Sequence, residues 1–229
     1  MTQNNLLLRL EDLVNNPTAR VPVCLCLDTS GSMDGAPIRE LNEGVKLFYD
    51  EVRNDENARY AAEISIVTFG GIAKCIEDFA NIDRQLNIPI LNADGMTPMG
   101  EGVNLALDLL EKRKQEYKDA GVDYYQPWLV LMTDGEPNGD SSELSRAINR
   151  TVELVRNKKL TVFPIGIGDS ADMNILKQFS PNRQPLRLQG LKFKEFFGWL
   201  SKSMSKTSQS TPGETIPLDV DGIKGWGEL

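Results

Sequence analysis

The sequence predicts an α/β protein: a doubly wound, mostly parallel six-stranded sheet with one antiparallel edge strand and helices on both faces. Three observations carry this. Nearly all-apolar runs at residues 21–27 (VPVCLCL) and 128–132 (WLVLM) each break off into a polar segment containing an aspartate, the pattern of strands buried on both faces that end in loops. Helical periodicity fills the stretches between apolar runs, as alternating β and α elements of a parallel sheet require. Gly70-Gly71 separates two further strand-like segments by a two-residue loop, which makes a hairpin and therefore an antiparallel strand.

Taken in order, residues 4–15 place Leu6, Leu7, Leu10, Leu13 and Val14 at helical spacing ahead of Pro17, so residues 1–20 read as an amphipathic helical extension. Residues 21–27 are the first strand. Residues 37–54 open with Pro37, suited to a first helical position, and line up Ile38, Leu41, Val45, Phe48 and Val52 on one face. Residues 59–69 and 72–79 are the hairpin strands. A helix follows at 99–118 through Val103, Leu107 and Leu110, then the strand at 128–132, then a helix at 141–157 capped by Ser141 or Ser142. The strand at 160–167 contains Pro164, which removes one ladder donor and points to an edge or a bulge. A short helix at 171–179, an edge strand at 185–189 and an amphipathic helix at 193–204, carrying Phe193, Phe196, Phe197 and Leu200, complete a main domain of residues 21–203.

Residues 204–229 read as a tail. Seven of the twelve residues at 201–212 are Ser or Thr, and Pro217, Gly222, Gly225 and Gly227 follow, a composition poor in core-forming side chains. Trp226 is its candidate anchor. The Ser/Thr run is open to two readings, a solvated linker or a phosphorylated switch.

The 229 residues suit one large core with terminal additions, and 40% hydrophobic with 25% charged residues is ordinary globular composition. A net charge of -8, from 33 acidic and 25 basic residues, works against nucleic-acid phosphates and anionic lipid as partners. An acidic protein that binds an acidic group needs a cation as intermediary. With no histidine, triad and Cys-His catalysis and imidazole-bound zinc are excluded. Cys24 and Cys26 lie in an apolar strand at C-x-C rather than C-x-x-C spacing, so with Cys75 they read as small core residues. The first twenty residues lack a signal-peptide pattern and no long apolar run is present, which leads us to expect a cytoplasmic protein without a membrane span.

In an open α/β sheet the ligand site lies beyond the carboxyl ends of the strands, where strand order reverses. That edge collects Asp28, Ser30 and Ser32 after the first strand, Asp134 after the fourth, and Thr97 in the loop leading into the long helix. All are oxygen donors, a set that selects a hard ion such as Mg²⁺, with Mn²⁺ or Ca²⁺ as substitutes. Gly31 lets the Asp28–Ser32 loop turn tightly.

Asp28-Thr29-Ser30-Gly31-Ser32 has the D-x-S-x-S form of the metal-ion-dependent adhesion site, and the chain here resembles the von Willebrand factor A family. The resemblance extends to Thr97 within Gly95-Met96-Thr97-Pro98 and to Thr133-Asp134-Gly135, and covers about residues 21–203. It implies that Ser30, Ser32 and Thr97 coordinate the metal directly, that Asp28 and Asp134 act largely through water, and that a partner protein supplies an Asp or Glu ligand. Residues 124–137 (YYQPWLVLMTDGEP) look more specifically like bacterial TerY-type or YegL-like proteins. Those are associated with tellurium resistance and chemical stress, often beside a protein kinase and a metal-dependent phosphatase.

Other readings compete for the same residues. A metal-dependent phosphohydrolase or phosphotransferase would use Asp28 as nucleophile, as in haloacid-dehalogenase-like enzymes, but those carry D-x-D where this chain has Ser30. Paired aspartates of an aspartic protease belong to an all-β fold. The G-x-G-x-x-A run at residues 166–171 comes late and lacks the following βαβ unit of a dinucleotide site. The expectation is a non-enzymatic binding module.

Overall fold

Val21–Asp28 forms β1, and every residue in it is buried. In the computed structural model, which describes residue 13, residues 15–213, residue 223 and residues 225–228, this strand lies inside a sheet of order β3-β2-β1-β4-β5-β6-β7. β2 (Ala62–Gly70) and β4 (Trp128–Thr133) flank β1 in parallel, and β5 (Thr161–Ile167) and β6 (Leu186–Leu188) extend the parallel array. β3 (Ile72–Asn81) runs antiparallel at one edge, as the Gly-Gly hairpin predicts. Order therefore reverses between β1 and β4, whose ends carry Asp28 and Asp134.

Alternation along β1 splits the core in two. Val21, Val23, Leu25 and Leu27 face α1 (Ala36–Asn54) and α6 (Phe193–Ser208), where Leu41, Val45, Phe48, Phe193, Phe196 and Phe197 pack. Cys24 and Cys26 face α3 (Met99–Ala120), α4 (Ser141–Arg156) and α5 (Met173–Phe179). Each fully buried Leu, Val or Phe contributes about 1.5–3 kcal/mol, so helices on both faces are needed to cover this strand.

The structure corrects several expectations. The segment at 59–69 is not all strand: Ala58–Ala61 forms a one-turn helix, α2, because the Asp55 carboxylate accepts from the N–H groups of Asn57 and Ala58. The cap of α4 is Asp140, accepting from Ser142 N–H at 2.7 Å, rather than Ser141 or Ser142. Pro164 makes no bulge in its pairing with β4, and it lies where β5 is unpaired on its other side, since the ladder with β6 begins at Ile165.

The C-terminal part is more ordered than its composition suggests. α6 runs to Ser208, five residues past the expected boundary at 203, and its polar residues fit by bonding back along the helix. Ser203 and Thr207 are buried and donate to the carbonyls of Trp199 and Ser203. A two-residue strand, β7 (Gly227–Glu228), then pairs antiparallel with β6, so β6 is not an edge and the sheet gains a seventh strand. Trp226 is buried with its ring 6.1 Å from Phe196 and 6.0 Å from Trp199. The expected N-terminal helix at 4–15 lies largely outside the described residues; Leu13 is described and buried.

Candidate metal-binding site

The loop after β1 turns because Asp28 Oδ1 accepts from Ser30 N–H at 2.8 Å, and a short 3-10 turn, Gly31–Met33, follows at once. Both carboxylate oxygens of Asp28 are engaged, since Thr133 Oγ1 donates to Oδ2 at 2.5 Å. Asp28 is fully buried, yet its bonds hold it at the foot of the loop. Thr133 is the last residue of β4, so this bond locks the ends of the two central strands together.

Above Asp28 three oxygens form a chain. Ser30 Oγ lies 3.1 Å from Ser32 Oγ, and Ser32 Oγ donates to Asp134 Oδ1 at 2.7 Å. Ser30 is buried, Asp134 half-buried and Ser32 exposed, so the cluster rises from the sheet to the solvent edge.

Thr97 reaches the same edge by backbone contacts. Gly31 N–H donates to Gly95 O at 2.9 Å, and Asp94 N–H to Thr29 O at 2.8 Å, which docks the loop before α3 against the loop after β1. Asn138, in the loop after β4, accepts from Thr97 N–H through Oδ1 at 2.5 Å and donates its own N–H to Thr97 O at 3.2 Å. Four of the five candidates are thus joined by direct or one-step hydrogen bonds, and Thr97 is carried beside them by its loop. Sequence reasoning missed Thr133 and Asn138 as supports; the hydroxyl directly before Asp134 was the available signal.

The loops approach so closely that only glycine fits. A Cβ on Gly70 would sit 2.1 Å from Thr29 O, and one on Gly95, whose φ is +70°, would sit 2.5 Å from Gly71 Cα. The hairpin tip is therefore part of the site's wall.

Burial pushes the Asp28 carboxyl above the ordinary carboxylate range; hydrogen bonds from Ser30 and Thr133 oppose this, and the charge of Asp134 adds to it. A cation bound beside Asp28 would offset its burial cost and the repulsion from Asp134. Among the described residues no cluster of three or more Cys, Asp or Glu side chains is arranged to hold a metal. A cation at this edge would be held by hydroxyls with few carboxylates, and Ser30, Ser32, Asp28 and Asp134 present a set of hard oxygens of the kind that suits Mg²⁺, Mn²⁺ or Ca²⁺.

Fold and site together define a protein of the Rossmann-like α/β class with an oxygen-lined crevice at its topological switch point. The von Willebrand factor type A domain matches residues 23–191, and the chain belongs to that family. It is 26% identical over 172 residues to the uncharacterized protein sll0103 of Synechocystis sp., covering 72% of this chain and 37% of that protein. The chain thus spans little more than a third of this relative's length. Among solved structures it superposes on a von Willebrand factor type A protein from Catenulispora acidiphila with TM-score 0.63 at 19% identity, covering 83% of this chain and 43% of the other. It also superposes on the vWF domain of the type V pili tip protein Mfa5 from Porphyromonas gingivalis, with TM-score 0.62 at 15% identity, covering 87% and 99% of the two chains. These likenesses show the fold. Among the described residues no helix is long and apolar enough to cross a membrane.

Proposed function

We propose that this domain is a divalent-metal-dependent protein-binding module without turnover of its own. The observation that carries the reading is the run of oxygens Ser30 Oγ, Ser32 Oγ and Asp134 Oδ1 at an exposed sheet edge, above the buried carboxylate of Asp28. A bound Mg²⁺, or Mn²⁺ or Ca²⁺ in its place, would supply a positive charge to which a partner's Asp or Glu can attach. The protein's own residues hold the site: Ser30, Ser32 and Thr97 offer neutral oxygens, Asp134 offers a carboxylate, and Asp28 fixes the loop from below.

Phosphoryl transfer through Asp28 is disfavoured by the same geometry. A nucleophile needs a free, accessible oxygen, whereas Asp28 is fully buried with one oxygen on Ser30 N–H and the other on Thr133 Oγ1. The likeness of residues 124–137 to TerY-type and YegL-like proteins supports placement as a cytoplasmic adaptor in a bacterial stress or tellurium-resistance system, with a protein kinase and a metal-dependent phosphatase as candidate partners.

The test is a pull-down from native lysate with wild type and Asp28→Ala, each in Mg²⁺ and in chelator. Retention of a protein by wild type in Mg²⁺ alone supports the reading. Equal retention in all four conditions, or steady phosphate release that depends on Asp28, overturns it.

A further inference from the structure

The loops that surround the candidate site are charged with one sign. Residues 28–35, 70–71, 92–98, 133–140 and 168–172 all lie at the carboxyl ends of β1, β2, β4 and β5 or in the adjoining loop before α3, and they contain eight carboxylates and no lysine or arginine. Asp34, Asp94, Glu136 and Asp140 among them are exposed. Two basic groups from neighbouring strands approach these loops, the exposed Lys74 of β3 and Arg187 of β6, whose guanidinium donates to Gly168 O, so the carboxylates outnumber them.

Two large apolar side chains stand at this collar, Met96 in the loop before α3 and Ile72 at the first position of β3, on the same strand face as Lys74. Ile72 is 66% and Met96 59% exposed, although most Ile and Met side chains in this chain are buried. They adjoin each other through the bond from Gly71 N–H to Met96 O at 2.8 Å, and Met96 directly precedes Thr97. The apolar pair thus lies beside the candidate ligands.

Resting on the metal-dependent reading above, we infer that the partner presents a protein segment with a single carboxylate, flanked by Lys or Arg and by an apolar residue that covers Ile72 and Met96. A cation neutralises the charge of its immediate ligands. Asp34, Asp94 and Glu136 remain, and within a Debye length of about 8 Å they repel a second acidic group and attract basic ones. An acid-rich segment therefore binds poorly although its carboxylates suit the metal. The apolar pair adds contact area that a lone carboxylate lacks.

The test pans a phage-displayed random peptide library on the immobilised protein in Mg²⁺, elutes with EDTA, and measures the enriched peptides as synthetic probes. The expected sequences carry one Asp or Glu with Lys or Arg and an apolar residue nearby. Replacing Ile72 and Met96 together by Ser weakens these peptides about tenfold and leaves the Mg²⁺-induced rise in melting temperature intact. Enriched peptides rich in acids, or unaffected by the double substitution, overturn this inference while leaving the metal-dependent reading standing. Absence of any EDTA-eluted enrichment, or enrichment that survives Asp134→Ala, overturns that reading and this inference with it.

Discussion

Ser32 Oγ donates to Asp134 Oδ1 at 2.7 Å, joining the loops after β1 and β4 across 102 residues of chain. A divalent cation bound to these oxygens would stabilise the fold by mass action: about 2.7 kcal/mol when free Mg²⁺ is a hundred times its dissociation constant. For a domain of this size that raises the melting temperature by roughly 5–10 °C. EDTA should reverse the rise, and Ser32→Ala and Asp134→Ala should each shrink it. A thermal scan showing the same Mg²⁺ response in wild type and Asp134→Ala would remove these residues from the site.

Asp28 gives the site a pH signature. Its folded carboxyl titrates above the ordinary range because burial, and then the Asp134 charge, disfavour ionisation. In the metal-free protein such a group contributes stability that is complete below the unfolded carboxylate pKa and lost as pH rises through the raised value. Asp28→Asn removes that loss. In EDTA the variant should gain on wild type as pH rises through this window and melt higher at neutral pH, while losing the Mg²⁺ response. A variant that melts below wild type at neutral pH in EDTA would show that the hydrogen bonds from Ser30 and Thr133 outweigh the burial of the Asp28 charge.

Hairpin geometry makes a third test. Because a Cβ on Gly70 would lie 2.1 Å from Thr29 O, Gly70→Ala must move the hairpin tip or the β1 loop; a Cβ on Gly135 meets nothing within 4 Å. Gly70→Ala is expected to cost about 1–3 kcal/mol and to lower Mg²⁺ affinity, and Gly135→Ala to leave stability unchanged. Urea denaturation of both variants decides it, and equal midpoints would show that the tip is not packed as described.

The parts legible in the sequence were those specified by local pattern. β1 and β4 stand out because burial on both faces leaves an unbroken apolar run, and the polar residues at their ends mark where the sheet stops. The D-x-S-x-S loop is equally local, since Asp28 bonds the backbone only two residues on. The rest depends on distant partners. Nothing near Trp226 signals that Phe196 and Trp199 will receive it, and the serines of α6 look like a linker until the faces of that helix are known. Asn138 becomes a support for Thr97 only when the fold brings together positions 41 residues apart.

The cysteines report on the two-faced burial of β1. All three are thiols rather than halves of a disulfide; Cys24 and Cys26 are buried, and burial pushes both thiols well up from their ordinary range, whereas Cys75 is half-buried on β3. The thiolate is the reactive form. A chromogenic disulfide reagent should therefore titrate about one thiol in the native protein and all three in denaturant. Fast native reaction of more than one would show that β1 is exposed in solution.

At the opposite end of β1, Glu63 of β2 joins an ionic network. It accepts from Arg20 Nε at 3.2 Å, from Arg113 Nε at 2.6 Å and Nη2 at 2.8 Å, and from Tyr117 Oη at 2.7 Å, with all four residues buried. Arg113 and Tyr117 lie on α3, so one carboxylate fastens the helix that follows Thr97 to the start of the sheet. Removing it takes from Arg20 and Arg113 the carboxylate they share and leaves Arg113 with Glu116, a loss of about 3–5 kcal/mol for breaking a buried pair of this kind. Glu63→Ala should lower the urea midpoint accordingly. Glu63→Gln should recover only part of it, because an amide keeps the shape and one acceptor but not the charge. Neither change touches the oxygens at the far edge, so the folded fraction of both variants should keep the wild-type Mg²⁺ response. A Glu63→Ala protein as stable as wild type would show that solvent reaches this end of the sheet and screens the arginines.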